Sequence, residues 1–85
     1  MKVICLVSKG GPNVAALTYE APEDVAVGDS GTVPMYNRDM GQEVSYPAIV
    51  IGLESTYGGT VKPFVRRVRA TTREDIIAAL AMIGR

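Results

Sequence analysis

The 85-residue chain has no histidine, no tryptophan, one cysteine and one phenylalanine. Without histidine, the side chain that most often acts as a base near neutral pH and most often ligates a metal is missing. A single cysteine permits neither an internal disulfide nor a zinc site of the usual several-cysteine kind. Cys5 sits inside the apolar run Val3-Ile4-Cys5-Leu6-Val7 with nothing nearby to lower its pKa, so it reads as a small core hydrophobe. That run is shorter than the roughly 7–15 residues of a signal-peptide core and far short of the ~20 that span a bilayer. The expectation is a soluble, cytoplasmic chain in a reducing compartment, without membrane association.

Catalytic parts are also scarce. Any general base would have to be a carboxylate, and the only clusters are Glu23-Asp24 and Arg38-Asp39, which read as solvated or capping groups in loops. Ser8-Lys9-Gly10-Gly11 lacks the glycine spacing and the Lys-Ser/Thr pair of a phosphate loop and reads as a hairpin turn. Asp29, Asp39 and Glu43 do not have the spacing of a calcium loop. No catalytic residue, metal site or cofactor is therefore expected.

Net charge is absent as well: 9 basic side chains stand against 9 acidic ones. Zero net charge argues against a strongly basic nucleic-acid binder. The balance is uneven along the chain, however. Residues 1–60 hold three cations against seven acids, a net −4, and residues 61–85 hold six against two, a net +4. Such asymmetry marks either a binding surface or two halves that neutralise each other on folding.

What the chain does have is 9 glycines and 5 prolines punctuating short apolar runs, the pattern of a small β-rich unit. Strands are expected at Lys2–Ser8, Val14–Tyr19, Gly31–Tyr36, Tyr46–Glu54 and Val61–Arg69. The first is apolar on both faces and so central. Pro34 suggests an edge or bulge, Gly52 a bend or bulge, and Asn37–Ser45 a long exposed hairpin loop. A helix is expected over about residues 72–83, capped by Thr71 or Thr72 with Glu74 or Asp75 three residues on, and ended by Gly84. The expected architecture is mainly β, one domain over residues 1–85: a small SH3-like or OB-like barrel of about five strands capped by a C-terminal helix.

From Ile76 to Ile83 that helix has no polar residue. A surface helix normally keeps one wet face, so this one should be covered by its own barrel or by a second copy. Ile76, Leu80, Met82 and Ile83 are the expected interface of a homo-oligomer.

The segment Val61–Arg69 carries most of the positive charge. A bulge at Arg66-Arg67 would point Val61, Pro63, Val65 and Val68 inward and put Lys62, Phe64, Arg66, Arg67 and Arg69 on one outer face. One ring among four cations is the makeup of a platform for single-stranded nucleic acid. The alternative is that Phe64 is core and the cations pair with Asp29, Asp39 or Glu43. Tyr19, Tyr36, Tyr46 and Tyr57 fall near strand ends, where rings rim a cleft or close a barrel.

Three stretches, Leu17–Asp29 with Thr32–Met35, Ala48–Leu53 and Val61–Val68, carry a tyrosine, a Pro-Glu pair, a Val-Gly-Asp turn, a Val-Pro strand end, an Ile-Val-Ile strand and a Lys-Pro-Phe strand leading to a helix. In that order they resemble the N-terminal DNA-binding domain of the primosomal replication-restart helicases, the primosomal protein N′ family. The resemblance implies a small barrel that contacts single-stranded or forked DNA near Tyr19, and with the cation-bearing strand the expected contacting residues are Tyr19, Lys62, Phe64, Arg66, Arg67 and Arg69. Thr18 stands where that family has an acid, and Tyr36 where it has a glycine. A free-standing module of this kind resembles a small phage or bacterial accessory protein that acts on DNA or on a host or replication protein. Two functions follow: a non-catalytic DNA-contacting module, or a protein-interaction and assembly module that binds no nucleic acid.

Overall fold

The computed structural model describes residues 1–10 and 13–83. Five strands, β1 (Lys2–Ser8), β2 (Val14–Glu20), β3 (Ser30–Asn37), β4 (Gln42–Gly52) and β5 (Val65–Val68), precede one helix, α1 (Arg73–Met82). The strands form a single antiparallel sheet in the order β2-β1-β4-β3-β5. The mainly β class is as expected, whereas the sheet is not closed and the barrel is only approximate. A single parallel bridge between Glu20 and Pro63 joins the far edge to the segment leading into β5.

β1 is central, as its apolar faces require. Val3, Cys5 and Val7 alternate into the core and meet Val33, Ala48, Val50, Tyr19 and Phe64. Burial pushes the Cys5 thiol up to about 12, so it stays protonated and inert. The register between β1 and β4 shifts at Ile4/Cys5 and leaves Ile51, beside Gly52, as the extra residue. That is the expected bulge, and it turns Ile51 outward.

β3 and β4 outrun their neighbours. β1 covers only Ala48–Gly52 of β4, and β5 covers only Ser30–Thr32 of β3. The remaining halves pair with each other as a two-stranded arm ending at Asn37 and Gln42. Pro34 and Pro47 both lie in this arm, where a missing N–H breaks no third ladder. The expected loop Asn37–Ser45 is thus mostly strand. Its turn is only residues 38–41, because Asn37 Oδ1 accepts the N–H groups of Asp39 and Met40 and its Nδ2 donates to Tyr46 Oη at 2.8 Å.

The expected strand Val61–Arg69 divides in two. Residues 62–64 bond to Glu20 of β2, and only Val65–Val68 pair with β3. The bulge does fall where the pattern placed it, with Arg67 as the extra residue. The facing is corrected: Phe64 is buried and Arg66 half-buried, while Val65 and Val68 are exposed. A phenyl ring removes more apolar area from water than a valine, and the Arg66 guanidinium reaches the buried Asp29.

α1 begins at a capping box in which the Thr72 side chain accepts from Asp75 N–H and the Asp75 carboxylate accepts from Thr72 N–H. Bonds from Thr71 first, and then from Thr72, hold the Asp75 carboxyl below its usual range. The expected stop at Gly84 lies outside the described residues. α1 packs against β4 through Ala79. Gly28 makes room for it: at φ +98° it turns the chain into Asp29, and a Cβ there would overlap the Ile76 side chain. The sheet covers one side of the helix only, leaving Ile77, Leu80 and Met82 exposed.

Candidate functional site

The cations of the last strand meet acids from elsewhere in the chain. Arg66 pairs with Asp24 and with Asp29, Arg69 with Asp24, and Lys62 with Glu43. The hydrogen bond from Arg66 is the largest influence holding the Asp24 carboxyl below its ordinary value. Asp29 is fully buried and accepts from the N–H groups of Ala26 and Ala70 as well as from Arg66. One carboxylate thereby ties the β2–β3 loop, β5 and the approach to α1. Arg67 has no ion-pair partner among the described residues. The outer-face platform is therefore corrected. Phe64 and Tyr19, 4% and 5% exposed, offer no ring for stacking, and the six residues do not share a face. The −4 and +4 halves neutralise each other at these pairs.

Among the described residues no group of three or more cysteine, aspartate or glutamate side chains stands close enough to hold a metal. No helix among them is long and apolar enough to cross a membrane.

A cleft of about 390 Å³ lies between β2, the β3–β4 arm and the loop at 57–62. Ala16-Leu17-Thr18-Tyr19 form one wall and Pro34-Met35-Tyr36 the other. Successive strand residues point to opposite faces, so consecutive residues can line one cleft only where it runs along a strand's edge. Both walls are such edges: β2 is the outermost strand, and β3 has no β5 partner beyond Thr32. The cleft is the seam at which the sheet fails to close.

Tyr36 and Tyr57, 60% and 54% exposed, rim this seam. Several bonds place Tyr57. Its N–H donates to Ser55 Oγ at 3.2 Å, Ser55 shares a 2.8 Å hydrogen bond with Thr18 Oγ1, and Lys2 Nζ donates to the Tyr57 carbonyl at 2.9 Å. Gly59 leaves space for the ring, since a Cβ there would overlap it. Of the expected site residues, Lys62 and Tyr19 reach the cleft wall, and Phe64, Arg66, Arg67 and Arg69 do not. Leu17, Met35, Tyr36 and Tyr57 were not singled out as binding residues; the signal was present in the two tyrosines at strand ends and the Gly58-Gly59 pair after Tyr57.

A second, smaller groove of about 260 Å³ lies between α1 and the sheet and includes Met82, Ile83, Val68 and Arg67. Of the expected oligomer residues, Met82 and Ile83 line it, Leu80 is exposed and Ile76 half-buried over Gly28. Compared with known proteins, the chain matches no family model, no curated protein and no solved structure.

Proposed function

We propose that this chain is a non-catalytic binding module that takes an extended stretch of polypeptide into the seam cleft. The lining carries this reading: tyrosine, leucine, methionine and proline walls whose one cation, Lys62, is already paired with Glu43. Single-stranded nucleic acid needs cations to neutralise its phosphates. A peptide needs apolar pockets and aromatic walls, which are the features enriched at protein interfaces. The volume lies within the roughly 300–1,000 Å³ of ordinary ligand clefts.

A second reading is contact with a single-stranded or forked DNA end. It is favoured because Leu17–Tyr19, Pro34–Met35 and Lys62, which carry the resemblance to the primosomal helicases, line one cleft. The two are separated by selecting a random peptide library against the chain and measuring the selected peptides by fluorescence anisotropy beside a labelled oligonucleotide. Peptides are expected to bind and to lose about tenfold or more in affinity, ~1.4 kcal/mol, with Tyr57→Ala. Oligonucleotide binding that weakens steeply with salt would transfer the cleft to DNA.

The uncovered face of α1 supports self-association as a further property. A charge placed among apolar contacts costs several times what a methyl group contributes. Met82→Glu is therefore expected to lower the mean mass measured by light scattering in concentrated solution. An unchanged mass removes self-association through this face.

A further inference from the structure

The two edges of the sheet differ. β5 is short, bulged at Arg67 and charged at two of its four positions. Those are devices by which edge strands resist pairing with another chain. β2 has none of them: from Val14 to Tyr19 it carries no charge, no proline and no break in register with β1.

The direction of its free backbone groups follows from one residue. Glu20 gives its N–H to the Lys62 carbonyl at 2.9 Å and accepts the Phe64 N–H at 2.8 Å, both on the side away from β1. In an antiparallel ladder the residues alternate between the two sides. Thr18, Ala16 and Val14 therefore turn their N–H and C=O groups outward as Glu20 does, while Tyr19, Leu17 and Ala15 bond to β1. Segment 62–64 satisfies the outward position at Glu20, and among the described residues β2 has no second strand partner along the rest of its length.

We infer that a partner polypeptide adds a strand to this edge of β2, bonds to the outward groups of Val14, Ala16 and Thr18, and sets alternate side chains into the Tyr36–Tyr57 cleft. This rests on the peptide reading above and specifies its geometry. The cleft runs along the same edge, so one extended segment meets both: main-chain bonds provide affinity and the cleft selects side chains. Pro34 has no N–H to offer from the opposite wall, which assigns the pairing to β2 rather than to β3.

A second copy fits this edge less well. The Val14–Thr18 stretch is about 17 Å long, and an edge-to-edge pair over that length falls well short of the roughly 800 Å² per partner of a stable interface. The inward side chains of a second β2 already belong to its own sheet, Tyr19 among the core residues. They cannot enter the cleft, whereas those of a free segment can. The occupant is an uncharged or weakly charged extended peptide with an aromatic or branched apolar side chain for the cleft.

The test uses the full chain and a peptide selected from the random library. Ala16→Pro removes only an outward N–H, and a thermal melt checks that the variant folds. Peptides carrying an N-methyl group at one backbone position at a time make the same test from the other side, without altering the protein. The expected result is a loss of about tenfold or more with Ala16→Pro, and a loss alternating along the peptide with N-methylation. Affinity that falls with Tyr57→Ala yet ignores every N-methyl position and Ala16→Pro overturns strand addition and leaves the cleft reading intact. Absence of any Tyr57-dependent peptide overturns both. A dimer of the free chain that Ala16→Pro dissolves would assign the edge to a second copy and overturn the inference.

Discussion

Phe64→Ala is expected to lower the stability of the folded chain by about 3–5 kcal/mol, the range found when a buried ring is truncated. Phe64 is the only phenylalanine, is 4% exposed and packs in a core otherwise made mostly of valine, alanine and cysteine. A domain of this size hides only about two-thirds of its surface and is stabilised by some 5–10 kcal/mol in all. The loss is thus a large part of the total. It should appear as a urea midpoint lowered by about 2 M or more, since small domains respond with a slope near 1–2 kcal/mol/M. Phe64→Leu, which keeps most of the apolar volume, should recover the greater part. The result discriminates between two roles for one residue. A stacking ring on an outer face would leave the urea midpoint unchanged; a core ring cannot.

Asp29→Ala is expected to cost about 3 kcal/mol or more, through a different mechanism. The Asp29 carboxylate is fully buried, and its removal takes the acceptor from Ala26 N–H and Ala70 N–H and one of two acids from Arg66. An unsatisfied buried donor costs about 1–3 kcal/mol, and breaking a buried ion pair about 3–5. Arg66 keeps Asp24 and is 20% exposed, which moderates the charge part. Asp29→Asn keeps one acceptor oxygen but turns an amide donor toward groups that are themselves donors, so it should be nearly as destabilising. Urea unfolding of the three proteins checks the order wild type, Asn, Ala. Equal midpoints would remove Asp29 as the junction of the fold. Hydrogen exchange should also quicken at Ala70 and in β5 before the centre of the sheet, because those are the parts Asp29 holds.

The first strand was readable from Lys2–Ser8 because five consecutive apolar residues leave few other ways to hide them. The capping box at Thr72–Asp75 was readable for a similar reason: its bonds join residues three apart and need nothing from the rest of the molecule. The bulge at Ile51 was signalled by the neighbouring Gly52, and the one at Arg67 by a break in the two-residue alternation. The facing of the last strand was not readable. Alternation has two phases, and Val65-Arg66-Arg67-Val68 fits either once a bulge is allowed. The phase was settled by Asp29, 37 residues away, which needs a cation, and by a core that takes the Phe64 ring beside Tyr19. Neither constraint is local. The cleft was unreadable in the same way, because its walls at Ala16–Tyr19 and Pro34–Tyr36 meet only when the β3–β4 arm stands across from β2.

The deficits in composition and the order of apolar runs were enough to determine a mainly β chain with a capped C-terminal helix. They also determined that charges divide into an acidic and a basic half. Whether those halves form a binding surface or neutralise each other is a matter of distance, and distance across a sheet is a tertiary property. The fold brings Asp24 and Asp29 to Arg66 and Arg69, and Glu43 to Lys62, so the charges compensate each other within the chain. It places two tyrosines, which the sequence left as isolated rings near strand ends, on one seam. The physical reason is that main-chain pairing stops where the strands are unequal in length, and the unpaired edge is where another chain can bond.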